Sequence, residues 1–350
     1  MTVDALTDVT GLRVGHATRS GDGWLTGTTV VLAPEGGAVA AVDVRGGGPG
    51  TKETDALDPR NLVQRVEAVV LTGGSAYGLD SASGVMAWLE EHGRGVRVGP
   101  GPTHVVPVVP AACVFDLGRG GDFSARPDAA LGWEAVRAAA ASPPGAPVAQ
   151  GCVGAGTGAV AGPLKGGVGT ASTVLASGIT VGALVVCNAA GSAVDPETGA
   201  LYGELFQGRV DLPAREVHRA AQREVAGLAA DAQARRPPLN TTLAVVATDA
   251  DLTKAQAQKL AGVSHDGMAR ALRPVHLLHD GDTVFALSTA TRPLPQTDPL
   301  ALNEILTAAA DLVSRAITRA VRAATPTATP SGTWPSYESL YGSPGAHAPR

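Results

Sequence analysis

Apolar residues along this chain follow two rhythms: short continuous runs, and longer stretches in which they recur every three or four positions. The short runs are rich in valine and bounded by turn or polar residues, the pattern of strands. Residues 28–32 (TTVVL), 38–44 (AVAAVDV) and 68–71 (AVVL) belong to this set, as do 179–186 (ITVGALVV), 243–247 (LAVVA) and 283–287 (TVFAL). The second rhythm predicts helices over 79–92, with Gly93 as a stop, and over 214–235, 254–272 and 300–323. Strands and helices alternate, so the fold class expected is α/β.

Residues 142–147 (SPPGAP) read as a loop. Pro237 and Pro238 forbid continuation of the preceding helix, so residues 232–240 (AQARRPPLN) link a helix to a strand. From Thr325 to Arg350 the chain is rich in Pro, Ser, Thr and Gly, a composition expected to stay disordered. No internal repeat is present.

Composition narrows the chemistry. Hydrophobic residues make up 44% of the chain but aromatics only 3%, so the core must be built from Ala, Val and Leu. The 45 glycines form short clusters without a G-x-y period, which points to tight connections rather than a collagen-like chain. A formal charge of −5, with no basic cluster longer than Arg235-Arg236, argues against a nucleic-acid partner. Cys113, Cys152 and Cys187 are far apart in apolar sequence and read as buried free thiols. No uninterrupted apolar segment reaches the ~18–20 residues of a membrane span. Residues 1–10 carry acids and no apolar run, and a soluble cytoplasmic protein is expected. His16, His265, His276 and His279 never take an H-x-x-x-H spacing with partner acids. His276 and His279 fall in a run read as extended, where an offset of three separates their faces, so no metal site is expected. The run Gly154-Ala155-Gly156-Thr157-Gly158 lacks the G-x-G-x-x-G register, and no nucleotide cofactor is expected either.

The candidate chemistry lies in residues 237–249, PPLNTTLAVVATD, where a proline-stiffened loop runs into an apolar strand. As bare pattern this is ordinary, since Asn suits loops and Thr is β-branched. A threonine hydroxyl can also attack the carbonyl before it, forming an ester that water then opens. The new chain would begin with a threonine whose α-amine has an ordinary pKa of ~7.7–8.0. Such an amine can take the proton of its own hydroxyl during nucleophilic attack. The pattern alone leaves both readings open.

Further motifs occur in a fixed order: Leu6-Thr7-Asp8-Val9 with Gly11-Leu12-Arg13-Val14-Gly15-His16, then Gly73-Gly74-Ser75-Ala76-Tyr77-Gly78-Leu79, then ACVFD at 112–116. Asn188, Asn240-Thr241-Thr242, Ala247-Thr248-Asp249 and DGDTVFA at 280–286 follow. On these residues the chain resembles the self-processing N-terminal-nucleophile hydrolases. That family contains D-aminopeptidase/esterases, β-peptidyl aminopeptidases and nylon-oligomer (6-aminohexanoate-oligomer) hydrolases. The resemblance runs nearly end to end and stops near Ala324.

The resemblance implies an α/β fold of the four-layer αββα sandwich type, autoprocessed between Asn240 and Thr241. It divides the single domain into an α chain, 1–240, and a β chain, 241–324, which starts with the nucleophile. Thr241 matches the nucleophile, Asn188 the oxyanion-hole asparagine, and Asp280 and Asp282 the acidic pair that orients the threonine. Carboxylates at i and i+2 project to one face, and Gly281 between them adds no bulk. Lys165 matches an active-site lysine of the nylon-oligomer branch, although in GPLKGG it reads equally as a solvated loop residue. Phe115 stands where several relatives carry an active-site tyrosine. The lost hydroxyl removes one donor, so substrate contacts or oxyanion stabilisation are expected to be arranged differently around Phe115. Tyr77 is the other substrate-binding candidate, though it reads equally as structural packing. The implied activity is hydrolysis of linear amide bonds, with 6-aminohexanoate oligomers among the substrates. Alternatives are an aminopeptidase acting on D-amino-acid or β-amino-acid peptides, and an amine acyltransferase of related fold. The expected partners are a small amide or peptide substrate and further copies in a homo-oligomer of αβ units.

Overall fold

Alternation of side chains on the strands organises the whole molecule. The computed structural model describes residues 2–208, 212–232, 239–295, 298 and 300–342. Strand β1 (Arg13–Gly21) forms a hairpin with β2 (Trp24–Leu32), and β3 (Ala38–Val44), β4 (Thr51–Lys52), β5 (Arg65–Val66) and β6 (Ala68–Thr72) follow. Helices α1 (Ser75–Gly78) and α2 (Ser81–Glu91) lead through a small hairpin, β7 (Val96–Arg97) and β8 (Val105–Val106), to β9 (Ala111–Cys113) and α3 (Ala129–Ala141). A second small hairpin, β10 (Val160–Ala161) and β11 (Leu164–Lys165), precedes β12 (Gly167–Val174) and β13 (Thr180–Cys187). Then come α4 (Tyr202–Phe206), α5 (Arg215–Ala232), β14 (Leu243–Ala250), α6 (Lys254–Ala271), β15 (Thr283–Arg292) and α7 (Ala301–Ala323).

Two sheets result, ordered β1-β2-β6-β9-β4 and β12-β13-β14-β15-β3-β5. On β14, Leu243, Val245 and Ala247 join a buried cluster with Val31, Val69 and Leu71 of the other sheet. The alternate residues Ala244 and Val246 join a second cluster with Leu260, Met268, Ile305, Val313 and Ile317 of α6 and α7. Across the molecule, Val30, Val70 and Leu32 pack on Leu89, Leu131 and Val136 of α2 and α3. The layers are therefore helix, sheet, sheet, helix. Because β14 is covered on both faces, all of it is buried, and it reads in sequence as a continuous apolar run.

The predicted helix over 79–92 is observed as α2, starting two residues later and preceded by the separate short turn α1. Residues 233–238 of the predicted link over 232–240, with its prolines, lie outside the described residues. The disorder expected after Thr325 is corrected for residues up to 342. They form a hairpin, β16 (Thr327–Thr329) with β17 (Gly332–Trp334), and a short helix, α8 (Tyr337–Tyr341). Aromatic anchoring outweighs the loop-like composition. Tyr337 is buried, its hydroxyl donates to Gly199 O at 3.0 Å, and its ring stacks on Tyr341. Arg322 of α7 lies over the Tyr337 ring and pairs with Glu338 at 2.6 Å. Residues 343–350 lie outside the described residues.

Candidate active site

Four chain segments meet at one edge of the second sheet, and the strand pairing explains why. β14 and β15 run parallel with Leu243 opposite Thr283, so their leading residues 240–242 and 280–282 lie side by side. β13 and β3 run antiparallel to them, with Val186 opposite Leu243 and Val44 opposite Thr283. The trailing ends of those strands, at Asn188 and at 45–48, therefore arrive at the same edge.

Thr241 is buried there. Its hydroxyl donates to the carbonyl of Asn240 at 2.6 Å, and its N–H donates to the main-chain oxygen of Asn188 at 2.7 Å. A second donor reaches the same Asn240 carbonyl, the N–H of Gly281 at 3.2 Å. The loop carrying the acids is held by main-chain donors from 45–48: Arg45 N–H to Asp282 O at 3.0 Å and Gly48 N–H to Asp280 O at 2.7 Å. A Cβ on Gly46 would lie 2.4 Å from Asp280 O, so this approach requires glycine.

The two carboxylates are differently employed. Asp282 accepts Thr242 N–H at 2.7 Å on one oxygen, and both His276 N–H at 3.0 Å and His276 Nδ1 at 2.9 Å on the other. Asp280 accepts Leu277 N–H at 2.9 Å through Oδ2, while its buried Oδ1 has no partner among the described residues. Burial raises the Asp280 pKa and the neighbouring Asp282 charge adds to this, against the pull of the Leu277 N–H.

Asn188 is fully buried. Its Oδ1 accepts from Arg119 Nη1 at 2.5 Å and Val160 N–H at 3.0 Å. Both partners can only donate, which fixes the amide with Nδ2 on the other side, 3.4 Å from Phe115 O. Lys165 is also fully buried and not a solvated loop residue. Its ammonium donates to Ala159 O at 2.8 Å, Gly166 O at 3.3 Å and Gly156 O at 3.4 Å. The Ala159–Val160 peptide thus bonds Lys165 through its carbonyl and Asn188 through its N–H. Burial depresses the Lys165 pKa to about 8 and that of Arg119 to about 10.

The structure thus brings together Thr241, Asn240, Asp280 and Asp282, with Asn188 bonded to Thr241 and Lys165 one peptide further out. Phe115 meets the group through its carbonyl. Tyr77 stands apart, 56% exposed with the Arg126 guanidinium 3.9 Å from its ring centroid. Two residues of the site were not recognised in the sequence. Arg119, in the glycine-flanked stretch LGRGG, has the local appearance of a solvated loop. His276 was read in an extended run, but residues 276–279 turn sharply, with His276 at a φ of 58°. Pro274 before it and Asp-Gly after it are the turn signals that could have found it. Among the described residues no group of three or more His, Cys, Asp or Glu is placed to hold a metal ion.

Solved structures share this architecture. The β-aminopeptidase of Burkholderia sp. superposes with a TM-score of 0.70 at 24% identity, covering 96% of this chain and 92% of that one. The L-aminopeptidase D-Ala-esterase/amidase of Ochrobactrum anthropi, described as a variant of the Ntn-hydrolase fold, superposes with a TM-score of 0.68 at 21% identity, covering 97% and 94%. The fold is that of the Ntn hydrolases. The profile of peptidase family S58 matches residues 4–334. An uncharacterised aminopeptidase of Mycobacterium tuberculosis is 48% identical over 333 residues, covering 90% of this chain and 92% of that protein. A 6-aminohexanoate-oligomer endohydrolase of Paenarthrobacter ureafaciens is 32% identical over 297 residues, covering 78% and 72%. The chain belongs to peptidase family S58 and is a hydrolase of amide bonds.

Proposed function

We propose that the chain cuts itself between Asn240 and Thr241 and then hydrolyses linear amides with Thr241 as its N-terminal nucleophile. The observation that carries this reading is the buried Thr241 hydroxyl lying 2.6 Å from the oxygen of the carbonyl it would attack. After the cut, the freed amine has an acceptor ready in the unpartnered Oδ1 of Asp280. In its neutral form it takes the hydroxyl proton as Thr241 attacks the substrate carbonyl. The Asn188 side-chain amide then serves as oxyanion donor, a contribution of about 2.7–4 kcal/mol in comparable hydrolases. Water releases the acyl group. Lys165, whose ammonium donates to main-chain carbonyls, is a positioning residue that steadies the peptide next to Asn188. We assign substrate contact to Phe115 and leave the exposed Tyr77 outside the site.

The relative at 48% identity supports an aminopeptidase, and the one at 32% supports a second reading, cleavage inside 6-aminohexanoate oligomers. Assaying aminoacyl anilides beside these oligomers separates the two. Three unpaired cysteines suit the reducing cytoplasm, and we place the enzyme there as a homo-oligomer of cleaved units. The decisive experiment is Thr241→Ala. Denaturing gels should resolve two fragments for the wild type and one intact, inactive chain for the variant. Two fragments from the variant would remove Thr241 from the role.

A further inference from the structure

The carbonyl of Asn240 receives two hydrogen bonds, from the Thr241 hydroxyl at 2.6 Å and from the main-chain N–H of Gly281 at 3.2 Å. Neither comes from the Asn188 side chain, whose Oδ1 is held by Arg119 and Val160 and whose Nδ2 faces Phe115 O. Residues 240 and 280 also form a parallel bridge, which brings the following N–H, that of Gly281, onto the scissile peptide. The residue between the two acids must be glycine for this to happen, because a Cβ there would lie 2.6 Å from Thr241 Oγ1.

We propose that self-cleavage and substrate turnover use separate oxyanion donors: the Gly281 N–H for the Asn240 carbonyl, and the Asn188 side chain for the substrate. This rests on the self-cleavage reading above. In the first reaction Thr241 Oγ bonds to the Asn240 carbonyl carbon, and the π pair of the C=O becomes an oxyanion that accepts the Gly281 N–H. The hydroxyl proton passes to the Thr241 nitrogen as the C–N bond breaks, leaving an ester and a free amine. Water then adds hydroxyl to the acyl carbon and a proton to Oγ. Once the α-chain end withdraws, the Thr241 hydroxyl faces substrate. The adjoining end of β13, where the Asn188 main-chain oxygen accepts Thr241 N–H at 2.7 Å, supplies the Asn188 amide as donor.

Backbone ester substitution isolates the N–H. Replacing Gly281 by glycolic acid in the full-length chain removes that one donor and adds no side chain. Cleavage on synthesis and folding should slow by about 10-fold to 1,000-fold, the range for loss of one oxyanion donor. Replacing Thr283 by its α-hydroxy acid removes a neighbouring donor, to Thr242 O at 3.2 Å, and should leave the rate within about twofold. Asn188→Asp keeps an acceptor for Arg119 but loses the amide donor. It should still yield both fragments, while turnover of an aminoacyl anilide falls about 10²–10³-fold. A glycolate variant cleaving as fast as wild type, or a folded Asn188→Asp chain that stays intact, overturns the proposal. Should Asn188→Asp not fold, the ester pair decides alone. An intact wild-type chain would instead remove the self-cleavage reading itself.

Discussion

A fully buried lysine is expensive, because its ammonium leaves water for acceptors that only partly replace it. Lys165 keeps three carbonyl acceptors, and burial still lowers its pKa from 10.5 to about 8. Between those pH values the folded chain binds fewer protons than the unfolded chain. Stability must therefore rise as pH increases from 8 to 10.5, with the full penalty present below 8. The rise is on the order of 3 kcal/mol at most. Urea unfolding of the uncleaved Thr241→Ala chain, with and without Lys165→Met, should show the increment only when Lys165 is present. An equal increment in both would assign it elsewhere. The same physics explains what could be read residue by residue. Thr241, Asn188, Asp280 and Asp282 were legible through the family resemblance, which assigns roles to their side chains, and not through bare pattern. Arg119 acts by filling the Oδ1 side of Asn188, and Gly281 acts through its N–H, so nothing in their residue type announces a role.

Among the elements, those with strong patterns were legible. Strand β3 and helices α6 and α7 were predicted to within a residue or two, because a fully buried strand or a one-sided helix writes its burial into its spacing. β12, with the sequence GVGTASTV, was missed, since small residues buried against α7 leave no apolar run. The alanine-rich α3 and the mixed β1 escaped for the same reason. The hairpin and helix at 327–341 escaped because proline and serine content masks two anchoring tyrosines, Tyr337 and Tyr341. This segment also reaches the site. The Thr329 hydroxyl donates to Arg119 O at 2.6 Å, and Lys165 N–H donates to Pro335 O at 2.8 Å. Truncation after Thr325 should therefore destabilise the chain by about 3–5 kcal/mol, the scale of losing one buried aromatic. It should also lower turnover by loosening Arg119 and Lys165. An unchanged urea midpoint would show that the segment rests on the molecule without holding it.

At the scale of the whole molecule, the proposed cut would fall where it cannot separate the pieces. The second sheet runs β12-β13-β14-β15-β3-β5, and only its two central strands lie after Thr241. Each is paired on its outer side to a strand from before the cut, β14 to β13 and β15 to β3. Their inner faces supply Leu243, Val245, Phe285 and Leu287 to the cluster between the sheets, and the other sheet lies wholly before residue 241. Helix α7, from the later part, covers β12 and β13 with Leu312, Ala316 and Ile317 in the same cluster as Val181, Ala183 and Val185. Separating the fragments would open two strand ladders and expose both clusters, which amounts to unfolding. Cleaved enzyme should therefore elute from native size exclusion with both fragments in one peak and resolve only in denaturant. Residues 241–350 expressed alone should be insoluble or unfolded, because β14 and β15 would present unpaired edges and bare apolar faces. A soluble, folded 241–350 fragment would contradict this intercalated arrangement.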